Sequence, residues 1–179
     1  MNTGWSDEAL VAQARAGSDA AFMRLVQRHE AVLRGFLRRS LGGSAAEADD
    51  LAQEVFLAAW SHLNRLKDPT RVRAWLCGMG WRKAQDRMRS QRRSAARDGA
   101  WLEIAEATPG LSAEDRLAVA HAMGELSEGQ RACVTLCLVE GWSHSEAAEA
   151  LGLPLGTVKS YVDRGRARLL SALGGSDGA

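Results

Sequence analysis

The segment Gly141–Arg168 places the strongest constraint on the fold of this chain, because it predicts two helices joined by a tight turn. Ser143 and Glu146 have the spacing of a capping box, which satisfies the free N–H groups at a helix start. Gly152 can adopt the left-handed conformation that ends a helix. Pro154 suits the first turn of the helix that follows. The pattern therefore predicts a helix-turn-helix.

The second helix of this pair has one apolar and one polar face. Helical spacing directs five positions toward the core: Leu155, Val158, Val162, Gly165 and Leu169. The basic, hydrogen-bonding face that remains consists of Thr157, Lys159, Ser160, Tyr161, Asp163, Arg164, Arg166 and Arg168. A helix of this kind fits the major groove of DNA. The alternative is an ordinary surface hairpin whose arginines are only solvated.

Almost every other periodic segment also predicts a helix, and no strand alternation stands out. The predicted helices run from Ser6 to Ala16, Ser18 to Leu41, Ser44 to His62, Arg71 to Arg93, Ser112 to Glu125 and Ser127 to Glu140. Weak periodicity predicts a linker over residues 94–111. We therefore expect an all-α chain of two small helical domains, 1–93 and 112–172, joined by this flexible linker, with a disordered tail at 173–179.

Charge is distributed unevenly along the chain, although the net charge is only +1. Residues 61–100 carry a net charge of +8, residues 101–152 of −7 and residues 153–179 of +2. Two basic blocks separated by an acidic one suggest two separate contacts with a polyanion. Because the overall charge is weak, we expect free DNA to be bound poorly and a second partner to supply much of the binding energy.

Several classes of protein are disfavoured. No apolar run is long enough for membrane insertion, and the N-terminus lacks the features of a signal peptide, so we expect a cytoplasmic protein. The four histidines are scattered without a paired nucleophile and base, so neither catalysis nor a cofactor is expected. Cys133 and Cys137 are four residues apart, but a metal site would need a further ligand that we cannot identify. Buried helix cysteines are the favoured interpretation.

The segment ADDLAQEVFLAAW predicts a helix with an acidic face. Helical spacing directs four residues to the core: Leu51, Val55, Ala58 and Ala59. The opposite side carries Asp50, Gln53, Glu54 and Leu57, flanked by Asp49, Phe56 and Trp60. An acidic face with aromatic edges suits docking onto a basic protein surface. A merely solvated acidic face is the alternative, and it is commoner for a single helix.

The helix predicted from Arg71 to Arg93 combines two apolar stripes with basic flanks. One stripe includes Trp75 and the other includes Trp81. Arginines can neutralise phosphates, and aromatic faces can stack on unpaired bases. Alternatively, both stripes are buried between neighbouring helices while the arginines extend outward. We favour burial for Trp75, and both alternatives remain open for Trp81.

Taken together, these features resemble the extracytoplasmic-function (ECF) group of bacterial sigma factors. The resemblance rests on the order of ADDLAQEVFLAAW, RAWLCGMGWRKAQDRMRSQRR, a linker and the terminal helix-turn-helix, and it covers about Asp7 to Leu170. It implies two helical domains, regions 2 and 4, in a non-catalytic protein that binds core RNA polymerase, recognises promoters and helps to open DNA. It also implies an anti-sigma factor as a partner.

By the same resemblance, three groups of residues acquire roles. Polymerase binding is implied for Asp49, Asp50, Gln53, Glu54 and Leu57. Contact with melted −10 DNA is implied for Asn64, Arg65, Lys67, Arg71, Arg73, Trp81, Arg82, Lys83, Arg87 and Arg89, with the loop from Asn64 to Thr70 holding a flipped base. Recognition of duplex −35 DNA is implied for Thr157, Lys159, Ser160, Tyr161, Asp163, Arg164, Arg166 and Arg168. Arg82 and Tyr161 replace the Asn and Arg usual in the family, which leaves the promoter sequence open.

Two other functions remain as alternatives. A stand-alone transcriptional regulator would bind duplex DNA as a homodimer, and it would need a dimer surface and an input domain. The N-terminal domain could serve in that way, but a basic helix with aromatic residues favours single-strand contact instead. A protein-interaction module would use the helical hairpin to bind another protein, which the Arg/Lys-rich face disfavours.

Overall fold

The computed structural model describes residues 4–42, 45–91 and 112–174, and the statements about structure concern these residues. The helices are α1 (Asp7–Arg15), α2 (Asp19–Leu41), α3 (Ala45–His62), α4 (Val72–Gln91), α5 (Ala113–Glu125), α6 (Glu128–Val134), α7 (His144–Leu151) and α8 (Leu155–Gly174). Two 3-10 turns, Leu63–Arg65 and Pro69–Arg71, connect α3 with α4, and a π-helical turn, Thr135–Val139, follows α6. The described residues contain no strand, so the predicted all-α class is confirmed.

Polar caps fix the helix ends where the sequence predicts them. Three hydroxyls accept a hydrogen bond from the backbone N–H three residues later: those of Ser6, Ser18 and Ser112. The sequence holds three S-x-x-E/Q boxes at predicted helix starts: those of Ser127 with Gln130 and Ser143 with Glu146 are complete, and Ser44 of the third lies outside the described residues. Gly152 ends α7 in the left-handed conformation, with φ 66°. Local chemistry therefore determines most of the helix boundaries.

Some boundaries differ from the predictions. The helix predicted to reach Glu140 changes to the π-helical turn at Thr135. The tail predicted to be disordered from residue 173 is helical through Gly174, because Leu169 packs on the cluster around Met123 and anchors the end of α8. The predicted cap at Ser44, residues 92–93, the linker at 94–111 and the tail at 175–179 lie outside the described residues.

Helices α1 to α4 form the N-terminal unit around an apolar core. The largest fully buried side chains of this unit come from every one of its helices: Leu10, Val11, Leu25, Leu33, Phe36, Leu37, Leu51, Val55, Val72 and Met88. Burial of one such side chain stabilises the fold by about 1.5–3 kcal/mol. The core therefore fixes the orientation of α3 and α4, which carry most of the candidate polymerase and −10 residues.

Helices α5 to α8 form the C-terminal unit. Val158 and Val162 are buried as predicted, and Gly165 lies so close to α6 that a Cβ there would be 2.2 Å from Cγ2 of Val134. Leu155 was expected in the core but is 42% exposed, because it occupies the first position of α8, one turn before the helix becomes buried. None of the described helices has the length and apolar character required to cross a membrane.

The two units pack against each other, which the sequence did not predict. α4 packs on α7, and α2 packs on α6. Residues of the C-terminal unit such as Leu136 and Trp142 belong to the same buried cluster as the N-terminal core. Arg131 of α6, only 8% exposed, donates hydrogen bonds to the carbonyls of Leu126 (2.7 Å) and, across the interface, Ser40 (3.3 Å). The units therefore share one continuous core.

Candidate functional site

Helix α3 presents the predicted acidic face to solvent. Its core side is buried as expected at Leu51, Val55 and Ala59, while Ala58 is half-buried. The four residues of the opposite side are all exposed: Asp50, Gln53, Glu54 and Leu57. Leu57 is 71% exposed, which is a high value for a leucine next to a packed core. The predicted orientation of α3 is thus confirmed, and polymerase binding by this face stays a prediction.

An apolar groove of about 440 Å³ runs along this face between α2 and α3. Its apolar walls are Phe22, Met23 and Val26 of α2 together with Ala52, Phe56, Leu57 and Trp60 of α3. The rings of Phe22 and Trp60 pack at a tilt, with centroids 4.7 Å apart. The charged lining residues of the groove are Asp19, Glu30 and Arg34, and the acidic face of α3 lies beside it. The groove therefore fits an amphipathic helix of a partner that carries basic residues on the side facing α3.

The sequence did not identify the α2 side of this groove. Helical spacing places Phe22 and Val26 on the same face of α2 as the buried Leu25, yet both are only half-buried, and Met23 beside them is 53% exposed. The available signal was the width of the apolar face of α2, which exceeds the single stripe that core packing requires. An apolar face wider than the core needs is a reason to look for a partner.

Glu54, which was predicted to bind polymerase, lies next to Lys83 and Arg87, which were predicted to bind DNA. The carboxylate of Glu54 is 3.1 Å from Nζ of Lys83 and 3.9 Å from Nη2 of Arg87. Arg87 also donates a hydrogen bond to the carbonyl of Glu47 at 3.4 Å. Asp49, at the edge of the face, pairs with Arg34 at 3.4 Å. Lys83 and Arg87 are thus partly neutralised within the N-terminal unit, which makes them weaker candidates for phosphate contact.

The loop between α3 and α4 is held in place by α1. The guanidinium of Arg15 donates hydrogen bonds to the carbonyl of Leu63, at 3.2 and 3.3 Å, and to the carbonyl of Leu66. Asp68 accepts hydrogen bonds from the hydroxyl and the backbone N–H of Thr70, and these lower the pKa of its carboxyl group. The fixed backbone between these contacts presents three exposed side chains: Asn64, Arg65 and Lys67.

We expect the substitution Arg15→Ala to loosen this loop. Hydrogen bonds from a charged donor contribute about 1.5–3 kcal/mol, and because this guanidinium is partly exposed we expect a loss of only about 1 kcal/mol in the free energy of unfolding. Arg15→Lys keeps the charge but loses the forked geometry, so its loss should be intermediate. Urea unfolding followed by circular dichroism measures both, and an unchanged midpoint for Arg15→Ala would contradict the role assigned to this side chain.

Helix α4 is covered on two sides, and this packing determines which of its two tryptophans is buried. It packs against α2 and α3 on one side and against α7 on the other. Trp81 is only 3% exposed within the core, which favours the buried alternative for this ring, and DNA contact by Trp81 stays an untested prediction. Trp75, which we expected to be buried, is half-buried and lines a pocket beside the loop. Burial depends on which helices flank α4, and the sequence pattern of α4 alone does not contain that information.

The pocket beside Trp75 has a volume of about 270 Å³. Residues of the N-terminal unit form most of it: Arg65, Leu66, Lys67, Asp68, Arg71, Ala74, Trp75, Gly78 and Arg82. Glu149 and Ala150 of α7 complete the wall. Arg71 makes ion pairs with Asp68, at 3.5 Å, and with Glu149. The pocket joins cationic side chains to an aromatic ring, the combination that binds single-stranded nucleic acid.

Two other arginines predicted for the −10 element have intramolecular partners. The guanidinium of Arg73 lies over the ring of Trp142, 4.5 Å from its centroid, so Arg73 contributes to the contact between the two units. Arg89 is 3.8 Å from the carboxylate of Asp86 in a highly exposed pair. Arg82 remains exposed next to the pocket. Of the ten residues predicted for the −10 element, four line the pocket beside Trp75: Arg65, Lys67, Arg71 and Arg82.

The outer face of α8 is the candidate duplex-DNA surface. Lys159, Asp163, Arg164 and Arg166 are exposed, and among the described residues they take part in no ion pair. Thr157 and Ser160 are half-buried at the edges of this face. Lys159, Asp163 and Arg166 thus lie close together on one side of the helix, and Arg164 lies further round it, where it lines a groove with Glu125 and Arg168.

Tyr161 and Arg168 of the predicted set contact their own protein. Tyr161 is half-buried against α6, where a Cβ at Gly129 would lie 3.0 Å from Cε2 of its ring. Arg168 donates two hydrogen bonds to Oε2 of Glu125, at 2.8 and 2.6 Å, and the pair lowers the pKa of that carboxyl group. DNA contact by these two residues stays a prediction, and Arg168 would have to leave Glu125 to make it.

None of the three cysteines has the properties of a nucleophile or a metal ligand. Burial raises the pKa of Cys77 and of Cys133 to about 12, and it also raises the pKa of the half-buried Cys137. A thiol with a raised pKa is a poor nucleophile and metal ligand at neutral pH. In the part of the chain that the structure describes, no group of three or more His, Cys, Asp or Glu side chains is arranged to hold a metal ion.

Comparison with known proteins identifies both units. The N-terminal unit matches the family Sigma-70 region 2 over residues 25–94, and the C-terminal unit matches the family Sigma-70, region 4 over residues 116–169. The chain is 36% identical over 186 residues to the RNA polymerase sigma factor CnrH of Cupriavidus metallidurans, with 97% of each protein covered. It is 38% identical over 157 residues to the ECF RNA polymerase sigma factor SigL of Mycobacterium tuberculosis, covering 82% of this chain and 86% of SigL.

Solved structures agree with this relationship. The structure of CnrH in complex with the cytosolic domain of CnrY superposes with a TM-score of 0.72 at 35% identity, covering 94% of this chain and 97% of that one. The sigma factor RpoE of Bartonella quintana, solved with the anti-sigma factor NepR, has the same fold, with a TM-score of 0.66 at 24% identity over 85% of this chain and 96% of that one. Both region models match this chain in order, and it covers 86% or more of these relatives, so the chain belongs to the ECF group of the sigma-70 family of RNA polymerase sigma factors.

Proposed function

We propose that this protein binds core RNA polymerase and directs it to specific promoters, with region 2 on the melted −10 element and region 4 on the duplex −35 element. The observation that carries the proposal is the match of both regions in order to full-length ECF sigma factors. Sigma factors are initiation factors without enzymatic activity of their own, so no cofactor is required. Core polymerase and promoters are in the cytoplasm, where we propose that this protein acts.

The polymerase-binding surface that we propose is the acidic face of α3 together with the apolar groove beside it. Asp49, Asp50, Gln53 and Glu54 supply the polar contacts, and Leu57 supplies the apolar one. Leu57 is the most exposed of the large hydrophobic residues of the described chain, and its burial would contribute about 1.5–3 kcal/mol. An exposed apolar centre with acidic residues around it has the composition of a protein interface.

For melted −10 DNA we propose the pocket beside Trp75, which Arg65, Lys67, Arg71 and Arg82 line, together with Asn64 on the preceding turn. Trp75 takes the stacking role that the sequence had left open for Trp81. For duplex −35 DNA we propose the outer face of α8, centred on Lys159, Asp163, Arg164 and Arg166. The two surfaces differ in shape because one is to bind melted DNA and the other duplex DNA. An aromatic ring in a pocket suits an unpaired base, and an exposed helix face suits a major groove.

An anti-sigma factor is the second protein partner that we propose. The related structures of CnrH and RpoE were each solved with a partner protein, the cytosolic domain of CnrY and the anti-sigma factor NepR. The groove between α2 and α3 suits such a partner as well as it suits polymerase, because an apolar channel beside an acidic helix face accepts an amphipathic helix with basic flanks. Competition between core polymerase and an inhibitor for this groove would then regulate the protein.

Run-off transcription with core polymerase on a promoter library tests the proposed function. We expect transcripts from a subset of the library only when this protein is added, because core polymerase does not select promoters alone. Gel filtration supplies the control for the alternative of a stand-alone homodimeric regulator. We expect a monomer that elutes with core polymerase when the two are mixed. A stable homodimer that binds duplex promoter DNA without polymerase and yields no transcripts would overturn the proposal.

A further inference from the structure

Helix α1 packs on both 3-10 turns of the loop that joins α3 to α4, and its last residue, Arg15, makes polar contacts with that loop. Nε and Nη2 of Arg15 donate hydrogen bonds to the carbonyl of Leu63, at 3.3 and 3.2 Å, and Nη2 also donates to the carbonyl of Leu66. The side chains of both leucines are buried. One guanidinium thus holds two points of the loop backbone that are three residues apart.

Helix α1 is itself firmly fixed to the rest of the N-terminal unit. Leu10 and Val11 are fully buried in the core. At the start of the helix, the carboxylate of Asp7 accepts a hydrogen bond from Nη1 of Arg28 on α2 at 2.6 Å. At the other end, Arg15 lies in the last turn, where the helix dipole favours a cation. The guanidinium therefore holds the loop in a fixed position relative to the core.

The backbone of the loop also makes hydrogen bonds within its own turns. The N–H of Leu66 donates to the carbonyl of Leu63 at 3.2 Å, and the N–H of Arg71 donates to the carbonyl of Asp68 at 3.0 Å. Bonds of this kind fix the shape of each turn, but they do not fix the position of the turn on the protein. The buried leucine side chains supply part of that position, and Arg15 adds the directional contact.

The carbonyl of Leu66 stands between the two loop cations that line the candidate −10 pocket. Arg65 and Lys67 are its neighbours in sequence, and both are exposed and line the pocket beside Trp75. Arg15 is not among the residues that line this pocket. A rotation of the backbone at Leu66 would therefore move both cations relative to the ring of Trp75, although Arg15 itself touches no part of the pocket.

We propose that Arg15 is a positioning residue for the −10 element: it fixes the loop backbone so that the pocket discriminates among the bases of an unpaired promoter strand. This inference rests on the proposed function of the pocket. An unpaired base is read through hydrogen bonds to its edge, and such bonds weaken steeply when their geometry is poor. It also gives a role to α1, which precedes the residues that match Sigma-70 region 2.

A purely structural role for Arg15 predicts a different result. The residue is exposed, so its contribution to global stability is small. A general loosening of the N-terminal unit would weaken transcription from every promoter alike. A positioning role instead relaxes the choice of base within the −10 element, and it leaves the choice within the −35 element unchanged because the outer face of α8 belongs to the other unit.

Arg15→Ala removes all three hydrogen bonds to the loop, and Ser6→Ala is the matched control on the same helix. The Ser6 hydroxyl caps the opposite end of α1, where it accepts a hydrogen bond from the N–H of Ala9 at 3.3 Å. Its loss destabilises α1 without removing any contact to the loop. Arg15→Lys keeps the charge but lacks the planar fork of the guanidinium, so its effects should be intermediate.

The first assay is hydrogen exchange of the free full-length chain, followed by mass spectrometry. We expect Arg15→Ala to speed exchange in the loop, where the N–H groups of Leu66, Thr70 and Arg71 are hydrogen-bonded. Ser6→Ala should speed exchange in α1 alone. Unchanged loop exchange in Arg15→Ala would overturn the inference before any polymerase is added.

The second assay is run-off transcription by holoenzyme from the promoter that the wild type selects, and from its single-base −10 and −35 variants. Arg15→Ala should reduce discrimination at one −10 position about tenfold, because a displacement of about 1 Å at a site that depends on geometry can cost up to about a hundredfold. Arg15→Lys should reduce it by a smaller factor. Discrimination at −35 should stay that of the wild type in every variant, and Ser6→Ala should match the wild type throughout.

Three results of the transcription assay would overturn the inference: unchanged −10 discrimination in Arg15→Ala, equal losses on every promoter variant, or the same relaxation in Ser6→Ala. If circular dichroism shows that Arg15→Ala misfolds, Arg15→Lys decides, and unchanged −10 discrimination there would count against the inference. Failure of the proposed function is recognised separately, as wild-type protein that gives no transcripts. That result would also remove the base-selecting role, whereas the exchange assay still reports whether Arg15 fixes the loop.

Discussion

Replacing Leu57 by Asp should weaken binding of core RNA polymerase by about 30-fold or more, which is roughly 2 kcal/mol. Leu57 is 71% exposed in the free protein and stands at the edge of the apolar groove between α2 and α3. If polymerase covers this groove, the aspartate would place an unpaired charge in a desolvated contact. Because the position is exposed before binding, the substitution should leave the free energy of unfolding nearly unchanged.

Leu170→Asp is the matched control, since Leu170 is 62% exposed but lies on α8. We expect it to leave polymerase affinity close to that of the wild type. Leu57 is a sharper probe than Glu54, whose reversal would also break the pair with Lys83. Titration of labelled protein with core polymerase measures both variants. Equal affinities for Leu57→Asp and wild type would remove the groove from the polymerase interface, whatever the run-off assay gives.

The sequence predicted the helices and their orientation well, because those features depend on local chemistry. The capping boxes at Ser127 and Ser143 each involve side chains only three residues apart, and both are present. The exposed face of α3 follows from the helical period, and Val55 and Leu57 lie on the predicted sides. Agreement of this kind requires no knowledge of which helices are neighbours in the fold.

The sequence failed where an answer depends on which elements pack together. Trp75 and Trp81 occupy similar positions in two apolar stripes, and only the arrangement of α2, α3 and α7 around α4 determines which ring is accessible. Arg168 was predicted on a DNA-binding face, and its pairing with Glu125 joins residues 43 positions apart. The contact between the two units could not be predicted for the same reason. The charge pattern along the chain suggests that the units attract each other, but it does not show which surfaces meet.

Replacing Arg164 by Ala should cost about 1–3 kcal/mol in binding to the preferred −35 duplex and should relax the preference at one base pair. Arg164 is exposed on the outer face of α8, and its fork of donors matches the O6 and N7 acceptors of guanine in the major groove. Asp163, next to it, can accept a hydrogen bond from a cytosine amino group. Both side chains project from a helix whose other side is buried at Val158 and Val162, so the backbone that carries them is firmly anchored.

Lys159→Ala is the matched variant on the same face, and it should behave differently. A lysine at the flank of the reading face is suited to a phosphate, and phosphate contacts carry no sequence information directly. We therefore expect it to weaken binding to all sequences alike and to reduce the slope of log affinity against log salt by about one. The measurement is binding of the polymerase holoenzyme to a set of single-base −35 variants at several salt concentrations. If Arg164→Ala weakens every variant equally, Arg164 is a phosphate contact, and the specificity of this face must come from other residues.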